Sequence, residues 1–374
     1  MSLQGSHRIK ILSVFNRCTE TTIPSENFLK IDSHIFEKHI LSFYQSDEQV
    51  LNYVSDQYSE KEIACYGLNF KGVLFPVGIC KLFAILLKIK PDIIHVHHSL
   101  SGLVASVIAL PFRKTNIITT IHNNFKFFNR RQKIIFFLTY ILSNLIVCNS
   151  NTTKRSIEKL RRSFLPRIPN EVIYNGVDIK KVEKACHRPA PANHFVVGTV
   201  GRLVPQKDYV TLIKAFADFN KKRSDSELKI IGDGPLREPL ELLTEKLGIR
   251  EKVEFCGCLP REKVYEKLSS FHLFIVSSKW EGFCNAAVEA MVARVPVIAS
   301  KIETLLEVIG CDNGTFFEVG DSKELCEKLI NCYDSYDMIK KTADRAYNFA
   351  SERYSLETST ARYAHAYKTI LADK

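Results

Sequence analysis

Two carboxylates eight residues apart, Glu281 and Glu289, bound the stretch Glu281-Gly-Phe-Cys-Asn-Ala-Ala-Val-Glu289, where this sequence concentrates most of its potential chemistry. A carboxylate accepts hydrogen bonds from hydroxyl groups, so the pair suits a ligand rich in them. The apolar run Phe271 to Val276 leads into the motif through Ser277-Ser278-Lys279-Trp280. Beyond it, Ala286 to Met291 is a good helix former and gives way to Val295-Pro-Val-Ile-Ala-Ser300. That order predicts strand, loop, helix and strand, with the loop at the place where parallel α/β sheets bind ligands. A helix beginning near Asn285 points backbone N–H groups at that crevice and favours an anion there. Glu281 then lies just ahead of the helix, Glu289 lies one turn inside it, and both can line one pocket. Hydroxyls held by carboxylates, beside phosphate held by N–H groups, describe a sugar phosphate. The spacing alone fits two surface carboxylates on a loop and a helix equally well.

Further candidates stand at the ends of other apolar runs. Gly201-Arg-Leu-Val-Pro-Gln-Lys207 follows Phe195-Val-Val-Gly-Thr-Val-Gly201 and places two cations, Arg202 and Lys207, on the ligand side of a sheet. A guanidinium suits bidentate phosphate contact and an ammonium adds a point charge. Ile231-Gly-Asp-Gly-Pro-Leu-Arg237 is a tight glycine-rich turn in which Gly232 permits close backbone approach. His122 ends the run Thr115 to His122, and His97 and His98 end Pro91 to His98.

The elements that must position these groups alternate in type. In the N-terminal half, strands are expected at Arg8 to Phe15, Pro91 to His98, Thr115 to His122 and Asn144 to Ser150, with a strand and turn at Val172 to Asp178. A polar loop runs to about Asn27, and a helix covers Gly78 to Lys90. Lys180 to Ala192, polar and ending in Pro189-Ala-Pro191, has the character of a linker. Beyond it strands recur at Phe195 to Gly201, Glu227 to Gly232, Val253 to Phe255, Leu273 to Val276 and Val295 to Ala299, with helices between. This alternation predicts an α/β protein of two doubly wound domains facing each other across a cleft, with the first ending at 182 and the second at 350.

With 374 residues, 45% hydrophobic and 25% charged, the composition is that of a globular protein with room for two domains. Eleven cysteines, an odd number scattered singly apart from Cys256 and Cys258, suit a reducing cytoplasm. Cys256-Gly-Cys258 lacks a second ligand pair at metal spacing, which argues against a zinc site. The longest apolar run, Ile134 to Cys148, is interrupted by Thr139, Ser143 and Asn144 and falls short of the roughly 20 residues a membrane span requires. The formal charge of +11 is concentrated between Asn123 and Pro169, where ten basic residues accompany the single acid Glu158. Basic residues among aromatic and aliphatic ones, as in Phe125 to Phe137, suit an anionic membrane surface. A solvated basic face over a buried helix has the same composition. Nucleic acid would be drawn to the same charge, but no recognition motif for it is present.

Taken in order, these segments resemble the family 4 glycosyltransferases, the large retaining group with two facing Rossmann-like domains (the GT-B fold). The resemblance rests on Gly201-Arg202…Lys207, Gly232-Asp-Gly-Pro-Leu-Arg237, Phe255-Cys-Gly257, Ser277-Ser278, Glu281 to Glu289, Pro296-Val-Ile-Ala-Ser300 and Glu307-Val-Ile309. It continues more loosely through His95-Val-His97, Thr120-Ile-His122, Asn175-Gly-Val-Asp178 and the tail Tyr354-Ser-Leu-Glu357…Tyr363…Tyr367. It implies an acceptor-side domain over 1–182, a nucleotide-sugar-binding domain over 183–350 and a terminal helix, 351–374, crossing back to the first domain.

The resemblance also assigns roles. Glu289 accepts from ribose hydroxyls and Glu281 from sugar hydroxyls. Backbone N–H groups along Gly282, Phe283, Cys284 and Asn285 reach the sugar or phosphates, and Gly232 lies on the donor side. Arg202 and Lys207 neutralise the departing diphosphate, and His122 faces the reactive carbon. The donor is a nucleoside-diphosphate sugar, a UDP-sugar slightly ahead of a GDP-sugar, used without a metal cofactor. The acceptor is a lipid-linked saccharide of a bacterial surface polysaccharide (O-antigen, capsule or lipopolysaccharide). The enzyme is expected in the cytoplasm, peripheral on the inner face of the membrane and held there by the 123–169 region. A soluble transferase acting on a small acceptor, a nucleotide-sugar epimerase and a non-catalytic nucleotide-sugar-binding module are the alternatives. The chain departs from the family in three places. The loop Asn16 to Pro24 has no Gly-Gly pair, Arg294 stands where glycine is usual, and Ser300 to Glu307 lacks the common glycine pair.

Overall fold

The computed structural model describes residues 8–19, 23–57, 62–70, 75–97, 99–161, 166–186 and 194–372. In chain order its first half runs β1 (Ile9–Phe15), α1 (Ile23–Leu29), β2 (Phe36–Ser42), α2 (Asp47–Gln57), β3 (Ala64–Gly67), α3 (Phe75–Ile89) and β4 (Ile93–His97). There follow α4 (Leu100–Ile108), β5 (Asn116–Ile121), α5 (Arg130–Ile141), β6 (Leu145–Cys148), α6 (Asn151–Arg161) and β7 (Asn170–Val172). The second half runs α7 (Ile179–Ala185), β8 (Phe195–Val200), α8 (Tyr209–Lys222), β9 (Ser226–Ile231), α9 (Arg237–Lys246), β10 (Val253–Gly257), α10 (Arg261–Leu268) and β11 (Leu273–Val276). It continues with α11 (Asn285–Val292), β12 (Val297–Ser300), α12 (Glu303–Ile309), β13 (Thr315–Phe317), α13 (Ser322–Asp334), α14 (Tyr336–Tyr354) and α15 (Leu356–Ala372).

These elements form two compact units, Met1–Gly176 with Leu356–Lys374, and Val177–Ser355. Each is built on one parallel sheet. The first has the order β3-β2-β1-β4-β5-β6-β7 and the second β10-β9-β8-β11-β12-β13. Both are Rossmann-like doubly wound sheets whose order reverses beside the first strand, between β1 and β4 and between β8 and β11. Helices cover both faces of the central strands, so all six residues of β5, with Asn116, Thr119 and Thr120 among them, and all four of the apolar β11 are buried. Along β1 the two-residue period divides the side chains. Ile11 and Phe15 enter one core with α1 and α15, while Leu12 and Val14 enter another with α3 and α4. The second unit's core gathers Val197, Leu228, Ile230 and Ile275 from the strands with Phe216 and Phe219 from α8.

The structure differs from the sequence expectation in several places. Strands β2 and β3 escape pattern reading because β2 carries Lys38 and His39 among its apolar residues, both buried. The Lys38 ammonium donates to the carbonyls of Leu29 at 2.7 Å and Ile31 at 2.9 Å, satisfying acceptors at the end of α1. Helix α1 starts at Ile23, inside the stretch expected as a polar loop to Asn27. Strand β7 spans Asn170–Val172, so the strand expected from Val172 ends at that residue and 173–176 is loop. Asp178 caps α7 by accepting from the Lys181 N–H at 3.0 Å, which turns the start of the expected linker into helix. The rest of that linker, 187–192, lies outside the described residues. The units divide after Gly176 and after Ser355, where 182 and 350 were expected.

Candidate functional site

Strands β8 and β11 pair where the second sheet reverses, so the segments leaving their C-terminal ends meet. One is Gly201 to Lys207, ending in a 3-10 turn at Pro205–Lys207, and the other is Ser277 to Glu281. The Lys207 ammonium donates to Glu281 Oε1 at 2.5 Å, and Ser278 Oγ donates to the same oxygen at 2.6 Å. Gln206 Nε2 reaches Oε2 at 3.3 Å and the Trp280 carbonyl at 2.8 Å. Ser277 Oγ donates to the Lys207 carbonyl at 2.7 Å and the Lys279 N–H to the Gln206 carbonyl at 2.8 Å. Thr304, on α12, donates to the Glu281 carbonyl at 3.0 Å. The pair is nearly closed to solvent, with 20% of the Lys207 side chain and 7% of Glu281 exposed. Burial works against the Lys207 ammonium, yet the facing Glu281 carboxylate holds its pKa above the ordinary lysine value, so the side chain stays charged.

Helix α11 opens beside this pair. Its N-cap, Cys284, has φ 88° and ψ 73°, a left-handed conformation costly for a residue with a Cβ, and its side chain makes no capping bond. Burial, reinforced by the Glu281 charge, pushes the Cys284 thiol up to about 12, so it is protonated and no nucleophile. A crevice lined by Thr199, Lys207, Tyr209, Ser277, Ser278 and Cys284 opens here, and neither glutamate is among its lining residues. Glu289 faces elsewhere. Its Oε1 accepts from Arg261 Nη2 at 2.9 Å and from the Tyr265 hydroxyl at 3.4 Å, and Arg261 stacks on the Tyr265 ring. The two carboxylates thus have separate cationic partners. Sequence reading missed Arg261, Gln206 and Tyr265, and the one available signal was Arg261 at the start of a helix after the Phe255-Cys-Gly257 turn.

Arg202 is exposed, and among the described residues its side chain has no hydrogen-bonded or ionic partner. Gly232 has φ 132°, and a Cβ there would lie 2.0 Å from the Gly201 carbonyl oxygen. Only glycine lets the two turns touch, with the Gly232 N–H donating to the Gly257 carbonyl at 2.8 Å.

In the first unit, His122 pairs with His97, Nε2 to Nδ1 at 2.9 Å, and their rings stack. His97 stacks in turn on Phe15. His95 has both ring nitrogens engaged at 2.7 Å, by the Tyr367 hydroxyl and by Thr120. Burial, with His122 nearby, lowers the pKa of His95 to about 3, and burial lowers His97 well below the ordinary value. Both are therefore neutral near pH 7. The described start of the glycine-free loop after β1, 16–19, is held by side chains instead: Gln45 accepts from the Cys18 N–H at 2.6 Å and donates to its carbonyl at 3.0 Å. Ser101 donates to the Asn16 side chain. His98 lies outside the described residues.

Residues 184–349 match the family model described as glycosyl transferases group 1, and residues 44–181 match glycosyltransferase family 4. The fold matches that of the Anabaena protein HepE, crystallised with UDP and glucose, with a TM-score of 0.80 at 20% identity over 96% of this chain and 99% of that one. The chain is a glycosyltransferase of the GT-B type. An uncharacterized glycosyltransferase of Methanocaldococcus jannaschii is 26% identical over 304 residues, 74% of this chain and 71% of the relative. A Campylobacter jejuni N-acetylgalactosaminyltransferase, named for an acceptor on diphospho-undecaprenol, is 28% identical over 219 residues, 58% of each chain. In this glycosyltransferase the group 1 match contains the Lys207–Glu281 pair, the α11 start and Glu289, and the family 4 match contains His95, His97 and His122.

Proposed function

We propose that this glycosyltransferase is a retaining, metal-independent enzyme that takes a hexose or N-acetylhexosamine from a nucleoside-diphosphate sugar. The observation that carries the reading is the Glu281 carboxylate fixed by Lys207, Ser278 and Gln206 at the paired strand ends, directly ahead of the α11 N-terminus. A preorganised carboxylate accepts from sugar hydroxyls without reorganising, and a helix start favours the diphosphate beside it. Lys207 orients Glu281 and neutralises part of the diphosphate, Arg202 supplies the exposed guanidinium, and the N–H groups from Gly282 to Asn285 complete the donor contacts. Glu289, oriented by Arg261, accepts from the ribose hydroxyls, and Gly232 leaves room for the donor. In the transfer the bond between the anomeric carbon and the diphosphate oxygen breaks, and its electron pair leaves on that oxygen. An acceptor hydroxyl attacks on the same face and gives its proton to the departing diphosphate. His122 is assigned to the reactive carbon, following the resemblance.

UDP-sugars are favoured over GDP-sugars, a preference supported by the UDP complex of the similar fold. The acceptor we propose is a lipid-linked saccharide of a bacterial surface polysaccharide, reached from the cytoplasmic face of the membrane. The acceptor named for the Campylobacter relative and the basic 123–169 region support it. Thermal shift and hydrolysis with UDP-, GDP- and ADP-sugars test the donor. A donor at a hundred times its Kd should stabilise the protein by about 2.7 kcal/mol. Glu281→Ala should lower turnover by roughly 10²–10³-fold, as loss of a transition-state hydrogen-bonding group does. The absence of any nucleotide-sugar response in the wild type would sink the reading.

A further inference from the structure

Between Glu62 and Glu158 the sequence holds one acidic residue, Asp92, whose carboxylate accepts from the Lys10 N–H at 2.8 Å. The helices of this interval, α3, α4 and α5, are successive neighbours on the first sheet, and their inner faces fill its core. Their outer faces are apolar. Of the thirteen exposed large hydrophobic residues described in the first unit, eleven lie on these helices or the turns joining them. They include Leu87 at 51% exposure, Val107 at 45%, Leu110 at 56%, Ile134 at 62%, Leu138 at 43% and Ile141 at 54%. The second unit has only four such residues described, dispersed over its surface. Exposed cations stand at the rims: Lys88 in the last turn of α3, Lys90 just after it, Arg113 and Lys114 beyond α4, and Lys126, Arg130 and Arg131 at or just before the start of α5. A monomer seldom exposes apolar surface on this scale without a partner.

We propose that the outer face of α3, α4 and α5 is the docking surface for an anionic lipid bilayer. Charge decides the occupant, because a face with seven exposed cations and no exposed acid complements lipid phosphates, and its side chains could not face a second copy without cation meeting cation. No described helix is long and apolar enough to cross a membrane, so this face lies on the bilayer. The structure also moves the surface within the sequence. The basic helix α6, part of the 123–169 region, carries no exposed large hydrophobic residue, whereas α3 and α4, outside that region, supply half of the apolar face. The proposal rests on the glycosyltransferase reading for its purpose alone, bringing the enzyme to a lipid-borne acceptor.

The test is co-sedimentation of the full chain, without nucleotide, with vesicles of phosphatidylcholine alone or with about one third phosphatidylglycerol. Binding is expected to the anionic vesicles and to fall as salt rises. Val107→Glu with Leu110→Glu, both on the α4 side, should lower the bound fraction about tenfold. Arg130→Glu with Arg131→Glu should do the same, and all variants should keep the wild-type thermal response to UDP. Failure of the wild type to bind anionic vesicles overturns the proposal, as does unchanged binding by the α4 variant. A wild-type dimer that the same variants convert to monomer would assign the face to a second copy and overturn it equally. A lost UDP response in the wild type would count against the donor site and leave the lipid result standing.

Discussion

Removing either partner of the Lys207–Glu281 pair strands a charge in a site with little water. Such a loss costs roughly 3–5 kcal/mol when the pair is buried. Glu281→Gln and Lys207→Met are each expected near the lower end of that range by urea unfolding. The double variant should cost less than the sum of the two, since neither charge is then left alone. The pH dependence follows from the raised pKa of Lys207 in the folded state. Its contribution is whole below the unfolded value near 10.4 and is lost as pH rises through the higher folded value. The stability difference between wild type and Lys207→Met should therefore hold constant from pH 7 to about pH 10 and shrink above it. A difference that changed between pH 6 and 9 would place the coupling elsewhere. The sequence showed both residues as candidates and could not show that they bond, because they stand 74 positions apart. Arg261 was invisible for the same reason: its partner Glu289 is 28 residues on.

Among the elements, α11 and the turn after it concentrate backbone strain. Cys284 caps the helix at φ 88°, and Arg294 ends it at φ 57°. Arg294 stands where relatives were expected to have glycine, and the structure gives the reason: the backbone there is left-handed. Its guanidinium packs 3.8 Å over the Tyr347 ring and pairs with Asp344 at 2.6 Å, contacts that offset part of the strain. For Cys284 the described residues provide no comparable ion pair or ring contact. Cys284→Gly is expected to keep or raise stability. Cys284→Val, β-branched in the same conformation, should lower it by roughly 1–2 kcal/mol in thermal or urea melts. Equal stability of the two variants would show that the cap is not strained. The helix itself was legible from its alanine-rich run, and its start at Asn285 matches the expectation. The left-handed cap was not, since nothing in the side chain of cysteine announces it.

Over the whole molecule, the two units differ in how the chain builds them. The second is continuous from Val177 to Ser355, whereas the first needs α15 from the far end of the sequence. Tyr363, Ala366 and Tyr367 of α15 are buried among Ile11, Phe36 and Ile93, and Tyr367 bonds His95. Burying a large side chain of this kind is worth about 1.5–3 kcal/mol, and a single methyl such as that of Ala366 roughly 0.8 kcal/mol. A fragment of residues 177–355 is expected to unfold cooperatively on its own and to keep a thermal response to UDP. A chain ending at Ser355 should lose the transition of the first unit and expose its core to a hydrophobic dye. A truncated chain melting like the full one would refute this division.

What the amino-acid order determined by itself was local and periodic. Runs of β-branched residues marked most central strands, the Glu281 to Glu289 stretch marked a loop entering a helix, and the order of strand ends marked the crevice where the second sheet reverses. These follow from backbone periods of two and 3.6 residues and from the chirality of parallel sheets, which act over a few residues at a time. Tertiary structure alone decided the partners. Sheet order brought Lys207 to Glu281 and the helix layer joined three separate apolar faces, while burial kept Lys38 inside a strand by giving its ammonium two carbonyls. Each of these is a choice among distant residues, made by which surfaces must leave water together.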